Sequence, residues 1–251
     1  MRLIFRYLFL MFMRLFVFVY CMDPVQDVKL WKLDYGNMND QQRMEVMIRD
    51  VNNKNDFLDE DGEYKDVCKW KGVECDSNSN VVKIYWYNDL NVKGGSIDLE
   101  YIPPNVTEFI VMSQSLNGTI NVSFLPHRLL LFDMFENKLS GQLHLHNLPN
   151  HINEFFVGYN NLEGTIDLTM LPSSLEILGL NKNNFTDPIN LIHLPMNLKS
   201  LWIYDNKIKQ VVVVIGVISN TLEEIYLYGN SIDRLLDIEG NLVDDDRIKN
   251  Y

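Results

Sequence analysis

Along most of the chain, apolar residues recur at intervals of three and then two, and three residues later comes a polar amide. In LPSSLEILGLNKNNFTD the apolar set is Leu175, Leu178 and Leu180 and the amide is Asn183. The same frame stands at Asn137 behind Leu129, Phe132 and Met134, and at Asn160 behind Ile152, Phe155 and Val157. It continues at Asn206 behind Leu198, Leu201 and Ile203, and at Asn230 behind Leu222, Ile225 and Leu227. Upstream it persists at Gln114 behind Val106, Phe109 and Val111 and, with two extra residues in the turn, at Asp89 behind Ile84 and Trp86. That makes seven units, most of them 23 residues long. In each, the residues five and three before the amide face one side of a short strand, and those six, four and two before it face the other. Strands stacked ~4.8 Å apart would give a parallel sheet roughly 29 Å from first to last. No single unit can bury its own aliphatics, so stability must come from neighbours, with protected ends.

A fixed period in the twenties with LxxLxLxxN spacing resembles the leucine-rich repeat. The expected fold is a β-rich α/β solenoid: a curved parallel sheet on the concave face, second short strands and turns or 3-10 segments elsewhere, and a helical N-terminal cap. An Asn carries both donor and acceptor and can satisfy backbone groups in the turn after each strand, so Asn137, Asn160, Asn183, Asn206 and Asn230 are read as a structural ladder. A second pattern follows each amide: GSIDL, GTINV, GQLHL, GTIDL and DPINL. Its alternation predicts a second short strand with Asp98, Asn121, His144, Asp167 and Asn190 stacked outward, a column that Asp237 rejoins after Val213 interrupts it. Pro104, Pro126, Pro149, Pro172 and Pro195 are expected to end those strands. The octapeptide VVVVIGVI, Val211 to Ile218, is too short to span a membrane and is expected to be buried.

Ahead of the repeats, Met44, Met47, Ile48 and Val51 lie at helical spacing behind Asn39 and Asp40, which read as an N-cap. The segment DVCKWKGVECD resembles the N-terminal cap of plant-type leucine-rich repeat proteins, whose pattern is Cys, any, Trp, any, Gly, Val, any, Cys. The GxI element after the amide points to the same class, found in extracellular receptors and in secreted inhibitors of cell-wall-degrading enzymes. The resemblance runs from about Asp40 to Asp246. Units of 23 rather than 24 residues and IDL…LP in place of IP look like protist relatives of that class. The sequence carries neither a C-terminal cysteine cap nor a kinase, so the receptor role is not carried over whole. Trp70 is expected to pack beside a Cys68–Cys75 bridge.

Residues 1–22, MRLIFRYLFLMFMRLFVFVYCM, are apolar apart from Arg2, Arg6 and Arg14. Arg14 splits the stretch into runs shorter than the ~20 residues of a spanning helix, and a central Arg costs about 2.5–3.5 kcal/mol on insertion scales. The segment reads as a signal peptide, with an uncleaved membrane anchor as the alternative. Loss of Cys21 leaves Cys68 and Cys75 as an even pair suited to an oxidising compartment. The expected organisation is 1–22 signal peptide or anchor, 23–80 cap with one disulfide, and 81–251 repeats. The expected location is secreted or cell-surface, with membrane attachment only through that first segment. Twenty-two Lys and Arg against 34 Asp and Glu give a net charge of −12, which excludes a nucleic-acid partner as the reading, since phosphate contacts need clustered cations.

Candidate chemistry is sparse. Asp56, Asp59, Glu60, Asp61 and Glu63 would suit calcium, but the glycine of an EF-hand loop is missing and a solvated acidic loop fits better. His144, His146 and His151, with Asp167 stacked beside His144, would suit a metal, but the first two occupy a column otherwise filled by Asn or Asp. No nucleophile elbow, P-loop, dinucleotide fingerprint or HExxH motif is present, so no enzyme, metal or cofactor is expected. Glycosylation sequons stand at Asn105, Asn117, Asn121 and Asn184.

The outward positions are where the repetition stops. Four and two residues before each amide stand Tyr85 and Tyr87, Ile110 and Met112, Asp133 and Phe135, Phe156 and Gly158, Gly179 and Asn181, Trp202 and Tyr204, and Tyr226 and Tyr228. Eight of these fourteen are aromatic, and they read as a fully exposed stripe of the residue types enriched at hot spots. Tyr85, Tyr87, Met112, Phe135, Phe156, Trp202, Tyr204, Tyr226 and Tyr228, with Tyr159 beside Asn160, are therefore the candidate ligand-binding residues of a non-catalytic module for a protein or peptide. A glycan-binding module and a structural surface coat that self-associates through Val211 to Ile218 are the alternatives.

Overall fold

The structure, a computed structural model, describes residues 37–87, 92–186 and 188–250. The N-terminal segment 1–22, Cys21 and Asp89 lie outside the described residues. The chain divides after Asn39, and the fold described below is that of the unit from Asp40 onward.

Helix α1 (Asp40–Met47) buries Met44 and Met47, and Ile48 and Val51 continue its apolar face into the core. Of the expected pair Asn39 and Asp40, Asn39 stands at the position directly before the helix and Asp40 does not cap it. Asp40 is the first helical residue, and its carboxylate accepts the Val81 N–H at 2.8 Å, tying the helix to the first coil. The Cys68–Cys75 disulfide forms. Trp70 is buried, stacks on Phe57 at 4.5 Å and leans on Tyr64 at 5.7 Å, while its indole N–H donates to the Lys65 carbonyl.

Strand β1 (Val73–Cys75) pairs antiparallel with β2 (Val81–Trp86) and opens a nine-stranded sheet. The rest is parallel, in the order β3 (Glu108–Val111), β4 (Leu131–Asp133), β6 (Glu154–Phe156), β8 (Ile177–Gly179), β10 (Ser200–Trp202), β12 (Glu224–Tyr226) and β14 (Ile248–Lys249). Each inner residue stands opposite its counterpart: Ile84, Phe109, Phe132, Phe155, Leu178, Leu201, Ile225 and Ile248 form one buried rung. Its three phenylalanines stack at 5.5 and 5.2 Å. The rung is continuous because the sequence repeats an apolar residue at that one phase of the strand.

The amide column closes each turn. Asn160 donates to the carbonyls of Met134, Val157 and Gly158 and accepts the Leu139 N–H, so one side chain joins two coils. Asn137, Asn183, Asn206 and Asn230 repeat the bridge, each accepting a backbone N–H of the preceding coil at Leu116, Leu162, Phe185 and Ile208. Gln114 reaches only the Met112 carbonyl, and its buried side-chain oxygen has no partner. Directly before the amide, Ser113, Glu136, Tyr159, Lys182 and Asp205 adopt left-handed backbone at φ 52–56°. Non-glycine residues enter that region at a cost of about 1–2 kcal/mol each. Their N–H groups all donate to the next coil, at Phe135, Gly158, Asn181, Tyr204 and Tyr228, which holds the conformation.

Second strands do form, but earlier than the alternation predicts. β5 (Ser140–Gly141), β7 (Asn161–Thr165) and β9 (Asn184–Thr186) make one small sheet, and β11 (Lys209–Val214) pairs with β13 (Ser231–Leu236). The polar column expected to lie on those strands does other work. Asp98 and Asn121 accept the N–H two residues on and so cap the 3-10 turns Leu99–Tyr101 and Val122–Phe124. Asp167 and Asn190 make the same bond to Thr169 and Ile192. Short Asx side chains reach their own backbone, and that local bond competes with a strand ladder. His144 heads the turn Leu145–Asn147 without such a bond, and Asp237 closes its own turn onto Asn241. Pro126, Pro149, Pro172 and Pro195 each open the turn into the next concave strand, and Pro103, not Pro104, holds the equivalent place. Val211 to Ile218 is not buried as a block. Val213 and Ile215 face the core, while Val211 is 59% and Val217 73% exposed; the four share one strand parity, so burial is confined to the middle of the run and both its ends open to solvent.

Removal of a ladder amide should cost more than its own bonds, because the backbone groups of two coils lose their partners. Asn160→Ala is expected to lower unfolding stability by at least about 2 kcal/mol in urea titration. Asn230→Ala, half-buried near the last coil, should cost less than half as much. Equal losses, or a change below about 0.5 kcal/mol at Asn160, would contradict this role.

Candidate functional site

The outer face of the nine-stranded sheet carries the side chains that do not repeat. Its middle column, four residues before the amide, reads Tyr85, Ile110, Asp133, Phe156, Gly179, Trp202, Tyr226, each opposite the next in register. The column two residues before the amide adds Tyr87, Met112, Phe135, Gly158, Asn181, Tyr204 and Tyr228.

These rings are not the fully exposed stripe expected from the spacing. Only Tyr87, at 45%, and Tyr159, at 37%, are open; Tyr85, Met112, Phe135, Phe156, Trp202, Tyr204, Tyr226 and Tyr228 are half-buried. They lean on one another because coils ~4.8 Å apart bring same-face aromatics into contact. Tyr204 and Tyr228 stack at 4.8 Å, with Tyr226 set edge-on to both. Phe135 tilts against Tyr159 at 4.7 Å. Phe156 and Trp202 belong to strands that are not adjacent, yet their centroids lie 5.7 Å apart across Gly179. A Cβ on Gly179 would stand 2.8 Å from Phe156, so the missing side chain is what lets the two rings close. Gly158 serves the next column in the same way: Asn181 lies over it, 1% exposed, and the Asn181 side-chain oxygen has no hydrogen-bond partner. Lys182 sits 4.4 Å from the Tyr159 ring centre, a cation–π contact.

Carboxylates line the other border of the face. Glu108 is held by Lys83 at 2.8 Å and by the Tyr85 hydroxyl, Glu176 by Lys199 at 2.6 Å, and Glu224 by the Trp202 indole N–H at 2.7 Å. Asp133 and Glu154 stand on neighbouring strands with no cation within ion-pair distance among the described residues. Burial pushes the Asp133 carboxyl up from 3.8 to about 6 against the Phe135 N–H bond that opposes it, and Glu154 adds to the rise. Glu154 is itself raised, by burial first and then by Glu176. The sequence signal for this border lies six residues before the amide rather than four or two. The same frame extended to the sixth position names Lys83, Glu108, Glu154 and Glu224 directly.

The other singled-out residues lie elsewhere. The His144 and His146 rings are 5.9 Å apart on an exposed surface, and among the described residues no three His, Cys, Asp or Glu side chains converge as metal ligands. Asp59 closes the acidic loop on itself by accepting the Asp61 and Glu63 N–H groups. Of the sequon asparagines, Asn117 and Asn121 are exposed and Asn105 and Asn184 half-buried, and Asn121 is engaged in its cap. Among the described residues no helix is long and apolar enough to cross a membrane.

Asp133 makes stability depend on pH. Its folded value lies above its unfolded one, so its contribution is complete below about pH 4 and is lost as pH rises through about 6. Asp133→Asn keeps an oxygen for the Phe135 N–H. It should match the wild type at pH 4 and melt higher at pH 7.5, by at most about 3 kcal/mol in urea titration. A lower melting point at pH 7.5 would contradict the assignment.

No family model and no curated protein matches the chain. Among solved structures it is similar to a crystal structure of Pollen Receptor Kinase 3, with 24% identity and a TM-score of 0.58 over 81% of this chain and 99% of that one. It is also similar to the BIR2 ectodomain from Arabidopsis thaliana, with 17% identity and a TM-score of 0.50 over 78% and 94%. At such identities the likeness is one of fold. A coil of this period with aliphatic rungs and an asparagine ladder is the leucine-rich repeat fold, and that is the fold of this chain.

Proposed function

We propose that the chain is a non-catalytic recognition module, secreted or displayed at the cell surface, that holds a peptide or protein loop against the outer face of its nine-stranded sheet. The carrying observation is the contrast between the two faces of the same strands. Inner positions are occupied by interchangeable apolar residues, whereas outer positions carry rings, carboxylates and two glycines in an order that does not repeat. Packing has no use for that variety, and aromatic side chains half-buried on an open surface are typical anchors. The Cys68–Cys75 bridge supports export, since such bridges persist in oxidising compartments. Under this reading residues 1–22 deliver or anchor the chain, 23–80 cap it and 81–251 form the recognition unit.

A glycan is the weaker occupant. Flat sugars need open ring faces, but Tyr204 and Tyr228 cover one another and Phe156 leans toward Trp202. Peptide side chains can use ring edges and carboxylates as well.

Panning a random peptide display library against the full chain tests the reading. Selected peptides should lose at least tenfold in affinity for Trp202→Ala and for Tyr204→Ala, with cooperative unfolding retained. Peptides that bind both variants as tightly as the wild type would place recognition elsewhere. A glycan array positive in a Trp202-dependent manner would move the assignment to carbohydrate.

A further inference from the structure

We propose that the occupant of the concave face is a basic segment, with an arginine or lysine side chain seated between Asp133 and Glu154 against the ring of Phe156. The inference rests on the outer sheet face being the binding surface.

Most carboxylates on that border already have donors: Lys83 and Tyr85 hold Glu108, Lys199 holds Glu176, and the Trp202 indole holds Glu224. Asp133 and Glu154 are the pair left over. Asp133 lies directly opposite Phe156 in the β4–β6 register, and Glu154 precedes Phe156 by two residues on β6, so all three side chains share one face of two paired strands, with Glu154 diagonal to Asp133. One Asp133 oxygen accepts the Phe135 N–H at 2.8 Å, which leaves the other free. Among the described residues Asp133 has no cation within ion-pair distance, and Glu154 feels only the through-space charge of Lys199, which Glu176 already holds; the two partly desolvated carboxylates are costly in the empty state, and a cation placed between them offsets that cost. The Phe156 ring offers the quadrupole that a guanidinium or ammonium favours. Lys182 over Tyr159 is an example of the same contact inside the chain.

A second observation points to a donor-bearing occupant without reference to charge. Asn181 is 1% exposed and its side-chain oxygen is unpartnered, aimed over Gly158, which continues the run of Glu154 and Phe156 two residues further on. A buried acceptor without a donor is uncommon in a finished structure, and because this oxygen is enclosed, an N–H from a bound segment reaches it only if the neighbouring side chains part. The whole chain carries −12, so a basic partner is also steered toward it at long range.

The test is fluorescence anisotropy on the full chain with labelled peptides of four Arg-Ser, four Glu-Ser or four Phe-Ser repeats. The Arg-Ser peptide should bind, weaken as salt is raised, and lose at least tenfold with the double substitution Asp133→Asn and Glu154→Gln. It should also weaken with Trp202→Ala. The exposed Glu163→Gln on β7 removes one negative charge away from the face and should change affinity by less than twofold. Both substitutions on the face are isosteric, and an unchanged near-UV spectrum with a cooperative melt certifies the fold. Binding that is indifferent to the double substitution, or equal loss with Glu163→Gln, overturns the proposal. If the Phe-Ser or Glu-Ser peptide binds more tightly and still needs Trp202, the concave reading stands and the basic occupant falls. If no peptide binds in a Trp202-dependent way, both fall.

Discussion

The structure depends on one side chain repeated: an asparagine that satisfies backbone groups of two coils at once. Every coil must turn sharply after its concave strand, and the residue before the turn sits in left-handed backbone although it is Ser, Glu, Tyr, Lys or Asp at five successive coils. Such a column would be unfavourable in isolation. It persists because the strained residue donates onward to the next coil while the Asn beside it ties back to the previous one. Aliphatic rungs supply most of the driving force, and the amide sets the pitch at which they stack.

Once the inside is fixed in this way, the outside is free. The outer column passes from Tyr to Ile, Asp, Phe, Gly, Trp and Tyr without disturbing the rung behind it. Glycine takes part in this freedom by subtraction. Gly179 lets Phe156 and Trp202 approach, and Gly158 makes room for Asn181. The resulting face has an aromatic border, a glycine floor and a carboxylate border, and it is read from the backbone outward rather than from any motif.

Much of this was legible from spacing. The coil, the buried rung, the asparagine ladder and the cap disulfide follow from a 23-residue period and two cysteines, because burial and register impose residue type at fixed phase. Local competition was harder to read. Asp98 and Asn121 sit in an alternating pattern that implies a strand, yet their side chains reach their own backbone and cap 3-10 turns. Val211 to Ile218 reads as a buried run, but only Val213 and Ile215 in its middle reach the core. The aromatic stripe was visible, though not how far its rings cover one another, since inter-ring distance depends on the gaps left at Gly158 and Gly179. The left-handed column left no residue-type signal at all, because its occupants share no chemistry.

Native-state hydrogen exchange tests the central claim most directly. The amides of Leu139, Leu162 and Phe185, bonded to ladder oxygens, should exchange together and among the slowest in the chain, at the free energy of global unfolding. Exchange of these three as fast as the exposed turn around Gly240, or each at its own unrelated rate, would mean that the asparagines decorate the coil rather than hold it.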